Sequence, residues 1–189
     1  MASKSILERG FKTKAEKIAI ECKEKLNLHP CAPICAFKLA EHLKVKIFNP
    51  TEFSLSEEEI IKLTGEDSGW SALTMETKQG NRIIIHNNNH TLARQQSNIM
   101  HEIAHILCNH QIEDKYTDMN LPFGMRDFNK LQEEEAICLG STIQLSKPSL
   151  QWALKRNMSP AQIAVHFDAS IEMVNFRLRM TGLHRLIKY

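Results

Sequence analysis

His101-Glu102-Ile103-Ala104-His105 sits inside a helical stretch over residues 92–109, and its reading decides what the rest of the chain must supply. On an α-helix, residues four apart stand one turn above each other on the same face. Two imidazoles so placed can bind one Zn2+, and the glutamate beside the first reaches the metal's water as a general base. At 100° per residue, Ile99, Ile103, Ile106 and Leu107 fall on one side of the helix. His101, His105 and Cys108 fall on the other, with Asn98 nearby. The helix is therefore expected to pack by one stripe and present both imidazoles on the opposite one. Cys108 reads as a small buried thiol.

A catalytic zinc takes three protein ligands and keeps one position open. The third ligand is expected from Glu133-Glu134-Glu135-Ala136, which opens the next amphipathic helix. Leu131, Ala136, Leu139 and Ile143 define its buried side, and Glu135 points into it. A carboxylate facing a core must be paired or metal-bound, which favours Glu135, with Glu134 second. Glu133 points toward Gln144, a polar side, and Glu at a helix N-terminus has its own electrostatic reason to be there. His110 and Asp114 are less well placed.

Outward from this pair of helices, the chain reads as α+β and mostly helical. Helices are expected over residues 13–26, 35–43, 57–63, 149–156, 160–167 and 171–181, besides those over 92–109 and 131–145. Ser56 followed by Glu59 has the form of a capping box. Residues 45–48 read as a strand, and 70–76 with 82–86 as a β-hairpin, giving a small antiparallel sheet. A loop spans residues 111–129. The oxyanion that forms when a peptide is attacked needs an electrophile beside zinc. Tyr116, His86, His90 and Arg126 are candidates, and no spacing singles one out.

The chain has 189 residues, 42% of them hydrophobic and 24% charged, with a formal net charge of +2. That suits one globular domain with at most a small appendage, and gives no global field toward nucleic acid or membrane. No stretch approaches the ~20 apolar residues of a membrane span. The first fourteen residues lack the apolar segment of a secretory signal. Five cysteines without zinc-ribbon spacing fit reduced thiols, so a cytoplasmic protein is expected.

Residues 158–189 have the form of a helix-turn-helix unit appended to a core over residues 1–157. Ser159 caps a helix that has Pro160 at its first position. Asn175, Arg177 and Arg179 would be the residues to reach phosphate or bases. Met173, Val174, Phe176, Leu178 and Met180 lie on more than one side of the second helix, however. A tail packed on the core and recognising protein is therefore preferred to one reading DNA.

Residues 93–107, with the Glu-Glu-Glu-Ala run and the helix after it, resemble the ImmA/IrrE family of gluzincin-type metallopeptidases. Ile83-Ile84-Ile85-His86-Asn87 ahead of them and residues 158–182 behind are similar too. The resemblance implies a zincin-like fold and a cytoplasmic zinc-dependent endopeptidase. Its substrate would be a helix-turn-helix transcriptional repressor, cleaved to relieve repression. It also implies Glu135, directly before Ala136, as the third ligand. Gln144, Ser146 and Lys147 interrupt the apolar run of the family's second motif, and Pro148 is displaced. The alternative is a DNA- or partner-binding regulator with a structural or vestigial zinc site. Glu102 argues against it, because a structural site needs no general base.

Overall fold

The computed structural model describes residues 6–65, 69–77, 79–110 and 129–186. Among these, eight α-helices surround a three-stranded sheet. In chain order they are α1 (Phe11–Lys25), α2 (Ala36–His42), β1 (Lys46–Phe48), α3 (Glu57–Thr64), β2 (Ala72–Glu76), β3 (Arg82–His86), α4 (Leu92–Leu107), α5 (Lys130–Gln144), α6 (Lys147–Lys155), α7 (Pro160–His166) and α8 (Ile171–Thr181). The mostly helical α+β class read from the sequence is the observed one. Turn chemistry sets many of the helix starts. Ser56 Oγ accepts from the Glu59 amide while the Glu59 carboxylate accepts from the Ser56 amide, and Ser159 with Gln162 repeats the pattern before α7.

The sheet is mixed rather than antiparallel. Its order is β1-β3-β2: β3 pairs antiparallel with β2, as expected of the hairpin, and parallel with β1. Placing β3 in the centre explains its three consecutive isoleucines, since a central strand covered on both faces needs no polar alternation. It also leaves β2 on an edge, alongside α4.

Two apolar clusters form the interior. The first joins α1, α2, β3, α4 and α5 through residues such as Ala15, Leu39, Ile84, Ile103 and Leu139. The second joins Leu145 and α6 to α7 and α8 through Leu150, Ile163, Phe167, Val174 and Leu178. The helical tail thus has an apolar centre of its own, which takes in α6.

Two buried cations tie this second cluster to α1. Arg177 of α8 donates from Nη2 to the Glu16 carboxylate at 2.7 Å and from Nε to the Leu145 carbonyl at 2.9 Å. The other Glu16 oxygen accepts from the Lys147 amide at 2.9 Å. Lys23 is fully buried, and its ammonium donates to Ser149 Oγ at 2.7 Å and to the Pro30 carbonyl at 2.9 Å. Burial pulls its pKa down to about 8, against the opposing charge of Glu16.

Candidate metal centre

Thr91 starts α4, its hydroxyl accepting from the Arg94 amide. Ile99, Met100, Ile103 and Ala104 bury the apolar stripe completely. The opposite stripe brings His101 Nε2 and His105 Nε2 to 3.0 Å of each other. His105 is almost entirely enclosed, whereas the His101 side chain keeps 28% of its surface.

The carboxylate that meets the two imidazoles is Glu133. Its two oxygens lie 3.3 Å from His101 Nε2 and 3.5 Å from His105 Nε2. Ligand atoms of the three residues all fall within 4.8 Å of one another. Hydrogen bonds from His101 and His105 hold the Glu133 carboxyl well below the ordinary carboxylate range. For His101, burial pulls the imidazole down, but the Glu133 hydrogen bond and the Glu102 and Glu133 charges outweigh it, so its pKa is raised. Two imidazole nitrogens and a carboxylate converging from two helices form the donor set that suits zinc, and Glu133's partly exposed side leaves a face open to solvent.

Glu135, the third ligand expected from the sequence, is elsewhere. Its carboxylate lies 3.0 Å from His110 Nε2. The expectation took the Gln144 side of α5 for a polar surface. Gln144 is in fact 1% exposed, with its amide donating to the Asp168 carbonyl at 2.9 Å. That side of α5 is the one that meets α4. Gly140 marks the contact: a Cβ there would stand 2.9 Å from the Met100 carbonyl oxygen and 3.1 Å from His101 Cα. Glu133 precedes Gly140 by seven residues, two turns along the same stripe.

The contact at Gly140 makes a test of this geometry. Gly140→Ala gains about 1 kcal/mol of helix propensity, but overpacking against immovable backbone costs about 1–3 kcal/mol. The variant is expected to melt at lower temperature than wild type. A higher melting temperature would mean that α4 and α5 part freely and that Glu133 is not held where it stands.

Glu102 is buried on the sheet side of α4, and its Oε2 accepts from the Thr74 hydroxyl at 2.7 Å. Thr74 is the middle residue of edge strand β2, so strand and helix together hold this carboxylate. On the other flank, a cavity of about 390 Å³ has His101 on one wall and Ile137, Met173 and Phe176 on others. Helix α8 therefore faces the same cleft as the first histidine.

The remaining candidates are not drawn together. His86 is buried edge-on against Phe37, and burial lowers its pKa. His90 Nδ1 faces the Asn98 amide nitrogen at 3.3 Å. Tyr116, Arg126 and Asp114 lie outside the described residues. Thr74, Gly140 and Glu133's partnership with the histidines are what sequence reasoning missed. Only Gly140 had a local signal, as a glycine in mid-helix.

A helical α+β domain with HExxH on one helix and a facing carboxylate on the next defines the peptidase-like class of HExxH proteins. The chain belongs to the M78 peptidase family: residues 52–179 match the IrrE N-terminal-like domain. Comparison with curated proteins finds no match. The matched span leaves out α1, α2 and β1, although β1 completes the sheet and α1 packs on α5.

Proposed function

We propose that this protein is a zinc-dependent endopeptidase that cleaves a protein substrate in the cytoplasm, most specifically a helix-turn-helix transcriptional repressor. The observation that carries the reading is the meeting of His101, His105 and Glu133 donor atoms within 4.8 Å, with Glu102 one residue from the first ligand. The metal ligands are His101, His105 and Glu133. Bound there, zinc supplies Lewis-acid chemistry, polarising a peptide carbonyl and acidifying water.

Glu102 is the general base. The Thr74 hydroxyl occupies Oε2, which orients the carboxylate and leaves Oε1 to take the proton of the attacking water. The same carboxyl then delivers that proton to the departing amine. Strand β2 is the sheet's edge among the described residues, and a substrate segment can lie along it as an added strand. The cleft between α4, α5 and α8 takes a neighbouring side chain.

A repressor as substrate follows from the family resemblance, and the charge of the cleft suits it. Glu172, on the cleft wall, faces a partner that, as a DNA-binding protein, carries basic surface. Arg177 is engaged by Glu16 inside the protein, which favours a tail that packs and recognises protein over one that grips phosphate. No helix of the described residues is long and apolar enough to cross a membrane. The test is incubation of the zinc-loaded protein with a helix-turn-helix repressor from its own organism, one encoded in a neighbouring reading frame being the first choice. Cleavage should stop with a zinc chelator and return when zinc is restored. Cleavage that persists in excess chelator would exclude a metallopeptidase.

A further inference from the structure

His110 is three residues beyond the end of α4, and the way the helix ends decides where its ring goes. Asn109 adopts a left-handed conformation with φ 53°. The Asn109 amide bonds the Ile106 carbonyl at 3.0 Å, and the His110 amide bonds the His105 carbonyl at 3.0 Å. This pair of bonds is a Schellman closure, which folds the chain back over the last helical turn. Asn tolerates the left-handed position better than most residues. The His110 ring is thereby set against the His105 ring, with centroids 4.9 Å apart and planes at 73°.

The contacts form a chain. His105 Nδ1 lies 2.9 Å from His110 Nδ1, and His110 Nε2 lies 3.0 Å from Glu135 Oε2. His110 is 6% exposed and the Glu135 side chain 17%. Along this chain of contacts, the metal-binding form of His105 implies a definite placement of protons. If His105 offers the Nε2 lone pair to a metal, its proton is on Nδ1. That N–H needs an acceptor, which is unprotonated His110 Nδ1. His110 must then carry its proton on Nε2, where it donates to the Glu135 carboxylate.

We propose that His110 and Glu135 are positioning residues for the metal centre: a carboxylate–imidazole–imidazole relay that fixes the metal-binding tautomer and orientation of His105. Glu135 thus acts through two rings rather than at the metal. The inference rests on the metal-binding reading above and deepens it. Partners of this kind, which orient a ligand imidazole and raise its basicity, typically contribute 10–100-fold in metal affinity.

Three variants separate the relay from plain packing. His110→Phe keeps a ring and removes both hydrogen bonds. Glu135→Leu removes the terminal acceptor. His110→Gln restores an acceptor for His105 and a donor for Glu135. Zinc affinity is read by competition with a chromophoric chelator, and the tautomer of His110 by nitrogen-15 NMR of the zinc-free protein at neutral pH. In wild type, His110 is expected to carry its proton on Nε2, toward Glu135. His110→Phe and Glu135→Leu should bind zinc about 10–100-fold more weakly, and Glu135→Leu should lose the Nε2–H preference of His110. His110→Gln should recover most of the zinc affinity. A wild-type His110 protonated on Nδ1 overturns the relay without any variant having to fold. So does a folded His110→Phe that binds zinc as tightly as wild type. If wild type binds no zinc, the metal-binding reading fails instead, while the tautomer measurement still decides whether the relay exists.

Discussion

Glu102→Gln should keep its zinc and lose proteolysis by at least about 100-fold, the lower end of what a positioned general base contributes. The substitution is nearly isosteric, and the amide oxygen can still accept from the Thr74 hydroxyl. What the amide cannot do is take a proton from water and pass it on. The loss is therefore expected in kcat, with substrate affinity little changed, because Glu102 acts on the reacting atoms and not on remote parts of the substrate. Substrate binding without turnover would make this variant a trap for the repressor. Wild-type turnover by Glu102→Gln would remove Glu102 from the chemistry, whatever the metal does.

The second large effect separates two carboxylates two residues apart. Glu133→Ala removes a ligand and should abolish stoichiometric zinc binding at micromolar metal. Glu135→Ala should weaken binding by only about 10–100-fold and leave zinc bound at saturating concentration. Both side chains are at least partly accessible, so neither substitution opens a large cavity, and the two variants should unfold at similar temperatures. The reverse order of severity would return the third ligand to Glu135.

That contrast also shows where sequence reading ends. The meeting of the two histidines on one face of α4 was legible because they lie within one helical turn, where spacing alone dictates which side chains share a face. The capped starts of α3 and α7 were legible for the same local reason. Which carboxylate meets the two histidines depended on which side of α5 meets α4, a tertiary fact. Apolar content identified the side facing α1 and the core, while the side facing α4 is marked by a glycine and by a buried glutamine bonded to the Asp168 carbonyl. Periodicity weighs neither residue as interior. Strand β1 was found, but its parallel pairing with β3 depends on a crossover that no local pattern encodes. His110 looked like an indifferent neighbour of the motif until the left-handed Asn109 turned it back onto His105.

Arg177 makes the same point for the tail. In sequence it stands with Asn175 and Arg179 as a residue placed to reach phosphate or bases. In the fold it is 2% exposed and shared between Glu16 and the Leu145 carbonyl. A buried guanidinium so engaged cannot be withdrawn without removing the ion-pair partner of Glu16 and the donor to the Leu145 carbonyl, a change that costs several kcal/mol.

The measurement that bears most directly on the metal centre is zinc-edge anomalous diffraction from crystals of protein purified without chelator. One zinc per chain is predicted, bound by Nε2 of His101, Nε2 of His105 and the Glu133 carboxylate at ~2.0–2.2 Å, with Glu135 on His110. An ion coordinated by Glu135 with Glu133 turned away, or crystals from zinc-containing buffer with no anomalous peak between the two histidines, would contradict it.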